Sequence, residues 1–325
     1  MIRLNGWAIS LDRKESGATV DFVSHAHSDH ISSAKSSKNI LASAETIELL
    51  GAVHNIKDKP VQEPHHDMRM LDAGHMLGSK QILVNDQSLG KSIVYTGDFQ
   101  MQKSRACRPL EVAGADIAIV DSTYYDPAVE FDDRTETEAT LQMWAEQKLS
   151  SGIVMFGAYA LGKSQELIAI LNEVGIVPVV TKKIAAACRV YKANGVRLDY
   201  ASEDEDYDDY QQLRRGNFAT IVESHSLTLE RTNYTGIFGK HVYTGVATGM
   251  SKTMNFNTDV QFALSDHADF RQVKDYIDAT GASTVYTYGG NAAHLADSLS
   301  RSGCSAVPFA KGGEITQEML AKSVI

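Results

Sequence analysis

The 325-residue sequence has few cysteines and no long hydrophobic run. Its three cysteines are far apart and form no C-x-x-C pair, so a disulfide framework is not expected and a reducing compartment fits. No stretch approaches the roughly 20 apolar residues that a membrane helix needs, and the first residues lack the apolar core of a signal peptide. We therefore expect a cytoplasmic protein that makes no use of a membrane.

Basic residues are also in the minority. The chain has 31 lysines and arginines against 41 aspartates and glutamates, which gives a formal net charge of −10. This balance argues mildly against nucleic-acid binding, because backbone phosphates favour basic surfaces. However, part of the acidic excess lies in the run 203–209, which we interpret as a solvated loop, and a bound divalent metal would supply positive charge locally. The charge therefore does not exclude an enzyme that acts on nucleic acid.

Two patterns of secondary structure follow each other along the chain. In the first third, short apolar runs such as 92–96 and 117–120 end at polar loops, which is how sheets commonly present reactive groups. The middle alternates strands and helices, which predicts a parallel α/β unit, and the end returns to the first pattern. We predict an α/β fold in which residues 129–248 are inserted into a domain formed by residues 1–128 and 249–325. Helices are predicted at 43–52, 136–149, 163–173, 184–193, 270–280 and 292–300.

The strongest chemical signal is a histidine cluster directly after the predicted strand 18–24. It holds three histidines and one aspartate within six residues, His25-x-His27-x-Asp29-His30. Imidazole and carboxylate together suit zinc and similar ions. In an extended segment His25 and His27 point the same way and can share one metal, while Asp29 and His30 follow at a turn and can reach a second.

One loop cannot complete two coordination spheres, so further ligands are expected at other strand ends. His75 lies in a segment flanked by Gly74 and Gly78, which allow a close approach of the backbone. Asp98 follows the predicted strand 92–96 directly, and a carboxylate at that place could bridge two metals.

In order and spacing, these motifs resemble the metal motifs of the metallo-β-lactamase fold. The segments 121–124 (DSTY) and 265–269 (SDHAD) resemble two signatures of its β-CASP branch, and 161–167 (LGKSQEL) resembles a helix start in that branch's inserted domain. The branch comprises nucleases of RNA 3′-end processing and of DNA repair. The chain resembles the exonuclease-like group named for mRNA 3′-end processing or for association with DNA ligase, and the resemblance covers nearly the whole chain.

The resemblance implies a fold, a reaction and roles for individual residues. The fold is an αββα sandwich with an inserted α/β domain, and the reaction is phosphodiester hydrolysis by a metal-activated water. One or two zinc ions are implied, with manganese as an alternative. Asp12 would orient a ligand histidine, Asp121 would be an acid close to the metals, and His267 would be the general acid. The implied ligands are His25, His27, His75 and Asp98 for one metal, and Asp29, His30 and the shared Asp98 for the other.

One position departs from the family pattern. Where the branch often has a further histidine ligand for the second metal, this chain has Tyr288, and tyrosine is a poor zinc ligand at neutral pH. The second metal is therefore expected to be weak, substrate-dependent or absent, unless His294 substitutes. DNA-processing members also tend to lack that histidine and to carry aspartate at the position of Asp121, so the pattern tilts slightly towards DNA, with RNA open.

The sequence therefore predicts a nuclease, of the exonuclease kind, acting on single-stranded RNA or DNA, alone, as a homo-oligomer or within a processing or repair complex. Lys163 is the predicted substrate contact, because it lies at a helix start beside a glycine, where anions bind well. The alternatives are a thioesterase- or lactonase-type hydrolase of the same fold and an inactive nucleic-acid-binding subunit. The inserted region of about 120 residues argues against the first, and the intact histidine cluster argues against the second.

Overall fold

A computed structural model of the protein describes residues 1–37, 39–202, 204, 207–310 and 312–323. These residues divide into two compact units. The first unit comprises Met1–Glu130 and the chain from His267 onward, and the second unit comprises Phe131–Asp266. All six predicted helices are present, each within two residues of the predicted bounds.

The first unit contains two sheets and their flanking helices. The strands are β1 (Ile2–Leu4), β2 (Trp7–Leu11), β3 (Val20–Phe22), β4 (Ile40–Leu41), β5 (Met68–Asp72), β6 (Lys80–Asp86), β7 (Lys91–Tyr95), β8 (Ile117–Asp121), β14 (Thr284–Tyr288), β15 (Ala306–Pro308) and β16 (Ile315–Thr316). One sheet has the strand order β16-β1-β2-β3-β4 and the other has the order β15-β14-β8-β7-β6-β5. The helices are α1 (Ala44–His54), α7 (Phe270–Thr280), α8 (Ala292–Arg301) and α9 (Gln317–Lys322).

The two sheets share one hydrophobic core. Side chains from β1 to β4, such as Ile9 and Phe22, pack against side chains from β5 to β8, such as Ile82 and Ile119. A second core lies on the opposite face of the β5–β8 sheet, where α7 and α8 contribute Val273 and Leu295 among others. The β5–β8 sheet is thus buried on both faces, which explains the continuous apolar runs of β7 and β8.

The direction of the strands brings their polar ends together. Strands β7, β8 and β14 are mutually parallel, and Tyr288 at the end of β14 is the register partner of Asp121 at the end of β8. In the other sheet β2 and β3 are also parallel, and they end just before Asp12 and Ser24. Because carboxyl ends of parallel strands lie at one edge, the loops that follow these strands are neighbours.

The second unit is a parallel sheet with helices, as the strand–helix alternation predicts. The elements are α2 (Arg134–Leu149), β9 (Ile153–Ala158), α3 (Lys163–Asn172), β10 (Val179–Val180), α4 (Lys182–Ala193), α5 (Tyr207–Leu213), β11 (Ala219–Glu223), α6 (Leu227–Phe238), β12 (Val242–Ala247) and β13 (Val260–Phe262). The strand order is β10-β11-β9-β12-β13, and every neighbouring pair is parallel.

The extent of the second unit differs from the predicted insertion of 129–248. Residues 249–266 belong to it as well, because β13 pairs with β12 and extends its sheet. In the acidic run 203–209, Glu203, Glu205 and Asp206 lie outside the described residues, and α5 begins at Tyr207. Across the part of the chain that the structure describes, no helix combines the length and the apolar character needed to cross a membrane.

Candidate metal centre

Three histidines and one aspartate converge at the edge where the strands of the first unit end. His27 Nδ1 lies 3.1 Å from both His25 Nε2 and His75 Nε2. Asp98 Oδ2 lies 3.5 Å from His25 Nε2 and 3.9 Å from His75 Nε2. One donor atom from each of the four residues lies within 4.8 Å of the others, so this group could hold a metal ion.

The local backbone explains how these side chains meet. Strand β3 continues into a segment paired with β4, where Val23 N donates to Leu41 O over 2.9 Å. His25 follows this pairing by two residues. Gly74 has φ +73°, and a Cβ there would lie 2.3 Å from Gln100 O, so only glycine allows the turn that carries His75. Gly97 brings the Asp98 loop against Ser24, whose Cβ would be 2.7 Å from an added Cβ.

The electrostatics suit a cation. His25 is completely buried, and its burial, together with the neighbouring His30, lowers its pKa well below the usual value, so the ring is neutral and can act as a ligand. Burial alone would raise the pKa of Asp98, but His30 and His267 outweigh it and hold that pKa well below its usual range. Neutral imidazole nitrogens and an ionised carboxylate are the donor set that zinc prefers.

His30 connects this group to the remaining predicted ligand. Its Nε2 lies 3.3 Å from Asp98 Oδ2 and 3.6 Å from Asp29 Oδ2. The side chain of Asp29 is 78% exposed, so it is held less firmly than the other predicted ligands. Burial lowers the pKa of His30, but the carboxylates of Asp98 and Asp12 overcome this effect and raise it well above the usual value.

Asp12 is a buried carboxylate that fixes the orientation of His30. Its Oδ2 lies 2.8 Å from His30 Nδ1 and also accepts hydrogen bonds from the hydroxyls of Ser24 and Tyr95, each over 2.7 Å. Its Oδ1 accepts from Ser24 N over 2.6 Å. With Nδ1 held by Asp12, Nε2 of His30 is directed to Asp98. Sequence reasoning identified Asp12 but missed Ser24 and Tyr95, which carry no metal-ligand chemistry of their own.

A histidine–carboxylate pair lies beside the centre. His267 Nδ1 lies 2.9 Å from Asp121 Oδ2 and 4.0 Å from Asp98 Oδ2. Asp121 Oδ1 accepts from the amide and the hydroxyl of Thr123. The backbone of His267 is anchored to the Asp98 loop, because Gln100 Nε2 donates to His267 O over 2.8 Å and Ala268 N donates to Phe99 O over 2.8 Å. The side chain is 24% exposed. Asp98, Asp121 and His267 form a second group able to hold an ion.

Tyr288 stands at the place where a further ligand histidine was expected. Its hydroxyl donates to Leu11 O over 3.1 Å, and the guanidinium of Arg13 lies over its ring. Burial, with the nearby carboxylate of Asp12, raises the pKa of Tyr288, so the phenol stays neutral. His294 stacks on the ring of Tyr125 with centroids 5.0 Å apart. These contacts give both side chains packing roles.

The prediction that Lys163 contacts the substrate is at odds with its surroundings in the second unit. Lys163 does begin α3, but the residue is only 4% exposed. Its Nζ donates to Glu166 Oε2 over 2.9 Å, Leu264 O over 2.9 Å and Asp266 Oδ1 over 2.5 Å. An ammonium group has three hydrogens, and all three are engaged. Lys163 is therefore part of a buried ionic network and does not offer its charge to a phosphate.

Comparisons with known proteins find a number of similar chains, although no protein-family model matches the chain. An alignment of 302 residues with a probable DNA ligase of Opitutus terrae has 27% identity. It covers 88% of this chain and 28% of that protein. The chain is 27% identical over 162 residues to an RNase J-like protein of Methanocaldococcus jannaschii, which is 48% of this chain and 36% of that protein. The chain thus covers well under half the length of either relative. A protein of unknown function from Enterococcus faecalis V583 shares the fold, with a TM-score of 0.60, 12% identity, and coverage of 93% of this chain and 82% of that one.

Proposed function

Because the chain belongs to the β-CASP branch of the metallo-β-lactamase family, we propose that it is a metal-dependent nuclease that hydrolyses the phosphodiester bonds of DNA or RNA. One observation carries the proposal. A buried group of three imidazole nitrogens and one carboxylate lies next to a histidine whose Nδ1 is held by an aspartate. This combination offers a metal site and a proton donor side by side, which is what hydrolysis of a phosphodiester requires.

The residues fit zinc, with manganese as an alternative. His25, His27, His75 and Asp98 would hold one ion, and Asp98, His30 and Asp29 would hold a second, weaker one. The neutral state of His25 and the ionised state of Asp98 support the first site. When bound, such ions supply activation of a water molecule at neutral pH and neutralisation of the charge that develops on the phosphate.

The chain's own side chains would move the proton and hold the ligands in place. His267 would donate a proton from its imidazole to the departing oxygen, because Asp121 fixes Nδ1 and stabilises the protonated ring. Asp12 would keep His30 turned to Asp98 by accepting from Nδ1. Proton donation by a positioned histidine typically contributes about 10²- to 10⁴-fold to the rate.

The two units receive separate assignments under this proposal. The first unit, with two sheets sharing a core and helices on an outer face, would be the αββα catalytic sandwich. The second unit, with its parallel sheet, would be the β-CASP-like insertion. The three cysteines, none of which forms a disulfide, support a cytoplasmic location.

The relatives' names support a choice of substrate and partners. The relative that matches 88% of the chain is named a DNA ligase, and another is named RNase J-like. We favour single-stranded DNA as the substrate, because the longer match is to the probable DNA ligase. We propose that the protein acts in a repair complex or as a homo-oligomer. RNA is the competing substrate, with RNA processing as the corresponding role.

The test is cleavage of 5′-labelled single-stranded DNA and RNA of the same sequence by zinc- or manganese-loaded protein, with His267→Gln and Asp98→Asn run alongside. Cutting by the parent alone would support the metallonuclease, and the product ladder would give substrate, polarity and exonuclease or endonuclease mode. Full metal occupancy with neither polymer cut would favour a small-molecule hydrolase. Absence of both metal binding and cutting would favour an inactive binding subunit.

A further inference from the structure

A further group of metal-ligand side chains lies in the first unit, in the loop between α1 and β5. His65, His66 and Asp67 each offer one donor atom, and these atoms lie within 4.8 Å of one another. His65 Nδ1 is 3.5 Å from Asp67 Oδ2, and His66 Nε2 is 3.3 Å from Asp67 Oδ1. Tetrahedral zinc with bonds of about 2.0–2.1 Å separates its donors by about 3.3 Å. Each imidazole lies close to that distance from one carboxylate oxygen, His65 from Oδ2 and His66 from Oδ1.

The carboxylate of Asp67 is buried and only partly satisfied. The residue is 5% exposed, and its Oδ1 accepts no hydrogen bond from any described residue. A buried carboxylate oxygen without a donor is costly and rare in proteins. The nitrogen that faces it is His66 Nε2. A cation between the carboxylate and the imidazoles would remove this cost.

The two imidazole rings lie side by side, as two ligands of one ion would. The rings of His65 and His66 are in contact, with centroids 3.9 Å apart. Each imidazole ring can offer a nitrogen lone pair, so two neighbouring rings can both serve one ion. Asp67 N also approaches His65 Nδ1, but at 3.5 Å this contact is long for a hydrogen bond and competes weakly for the lone pair.

Neighbouring residues hold the group in position. The ring of Trp7 packs against His65 with centroids 5.1 Å apart. Asn5 Nδ2 donates to Asp67 Oδ2 over 3.3 Å and to Asn85 O over 3.0 Å, and Asn85 N donates to Asp67 O over 2.8 Å. Support of this kind orients metal ligands before an ion binds.

The group is separate from the candidate metal centre. Strand β5 starts directly after Asp67 and runs towards His75, which follows its end by three residues. Five strand residues span about 17 Å. We propose that His65, His66 and Asp67 bind one divalent transition-metal ion of the zinc class, with a fourth position open to solvent beside His66, whose side chain is 73% exposed. This ion would hold the loop before β5 in the conformation in which Asp67 accepts from Asn5, and would stabilise the fold without taking part in catalysis.

The experiment measures zinc and cobalt binding to the full chain. Parent, His66→Ala and Asp67→Asn are stripped of metal, loaded with Zn²⁺ or Co²⁺, dialysed and analysed for metal per chain, for cobalt absorption and for melting temperature. His225→Ala is the matched control, because His225 is an exposed histidine outside all three groups. Asn5→Gly removes the supporting amide and keeps a residue suited to the φ of +52° at that position.

We expect the parent and His225→Ala to hold one more equivalent of metal than His66→Ala and Asp67→Asn. Asn5→Gly should lower the affinity of this equivalent by about 10- to 100-fold. Equal metal content in the parent and in a folded His66→Ala would overturn the proposal and leave an ion pair between His66 and Asp67. The readout is independent of nuclease activity, so a failure of the proposed function would leave this test unaffected.

Discussion

The carboxylate of Asp12 lies 2.8 Å from Nδ1 of His30, although the two residues are 18 positions apart in the chain. The strand end that carries Asp12 is parallel to the strand end that leads into the histidine cluster, and this topology makes the contact possible. The contact fixes which nitrogen of His30 faces Asp98, at 3.3 Å. Asp12 is thus placed to act on the candidate centre through His30.

Replacing Asp12 with asparagine should weaken metal binding without unfolding the protein. The asparagine would keep the side-chain size and tolerate the φ of +57° at this position, but it would accept less strongly from His30. We expect a loss of about 10- to 100-fold in metal affinity, measured by zinc titration. Asp21→Asn is the control, because Asp21 is a buried aspartate bonded to Ser10 on the neighbouring strand. An unchanged affinity in the Asp12 variant would reduce Asp12 to a structural residue.

The His267–Asp121 pair predicts a variant that keeps its metal and loses its activity. His267→Gln removes the proton donor, so the cleavage rate should fall by about 10²- to 10⁴-fold while zinc content stays at the parent value. Asp121→Asn should show a similar pattern, because the tautomer of His267 is no longer fixed. If zinc were lost together with activity, His267 would be a metal ligand, as its grouping with Asp98 and Asp121 allows.

Tyr288 makes a different prediction, because its hydroxyl donates to Leu11 O. Tyr288→Phe should cost about 1 kcal/mol of stability, the typical value of one hydrogen bond, and should leave the metal content unchanged. Metal analysis of the folded variant checks this. A drop in bound metal would mean that the phenol oxygen is a ligand after all.

The sequence allowed the ligands to be proposed because their signals are local. The spacing of His25 and His27 and the strand directly before Asp98 are visible in a short window. The surroundings of Lys163 are not, because its partners Leu264 and Asp266 are 101 and 103 residues away. A glycine and a lysine at a helix start indicate an anion site only when the side chain reaches solvent.

The extent of the inserted unit was missed for a similar reason. Strand β13 has only three residues, and its sequence does not indicate which sheet it joins. Its pairing with β12 assigns it to the second unit. The group at His65–Asp67 also escaped notice. Two adjacent histidines and an aspartate in a polar loop have no periodicity, and the buried state of Asp67 depends on Asn5 and Asn85.

The buried position of Lys163 predicts a stability defect in place of a binding defect. Lys163→Met leaves Glu166 and Asp266 without one of their two cations, and breaking such a buried network costs about 3–5 kcal/mol. The midpoint of denaturant unfolding should fall accordingly. Lys182→Met is the control, because Lys182 is 66% exposed and its pair with Asp204 is worth less than about 1 kcal/mol. An unchanged midpoint combined with a higher KM would restore Lys163 as a substrate contact.

The same network predicts a pH dependence of stability. Arg134 and Lys163 face three carboxylates, those of Glu138, Glu166 and Asp266. Burial raises the pKa of Asp266, the charge of Lys163 opposes this effect, and the charge of Glu166 adds to it, so that its pKa rises to about 6. The pKa of Glu166 stays well below its usual range, because Arg134 and Lys163 outweigh its burial. Below about pH 6, Asp266 is therefore the carboxyl group of this network that carries a proton.

A carboxyl group with a raised pKa in the folded state stabilises the fold at low pH and loses that contribution as the pH rises through the folded value. For Asp266 this window runs from 3.8, the ordinary value, to about 6. Asp266→Asn has no proton to lose. Its free energy of unfolding, relative to the parent, should therefore increase from pH 4 to pH 6.5 by up to about 3 kcal/mol, since one pKa unit corresponds to about 1.4 kcal/mol. Denaturant unfolding of both proteins at intervals of half a pH unit measures this difference, in which the titration of other groups largely cancels. A difference that is flat across the window would mean that the pKa of Asp266 is not raised in the folded state.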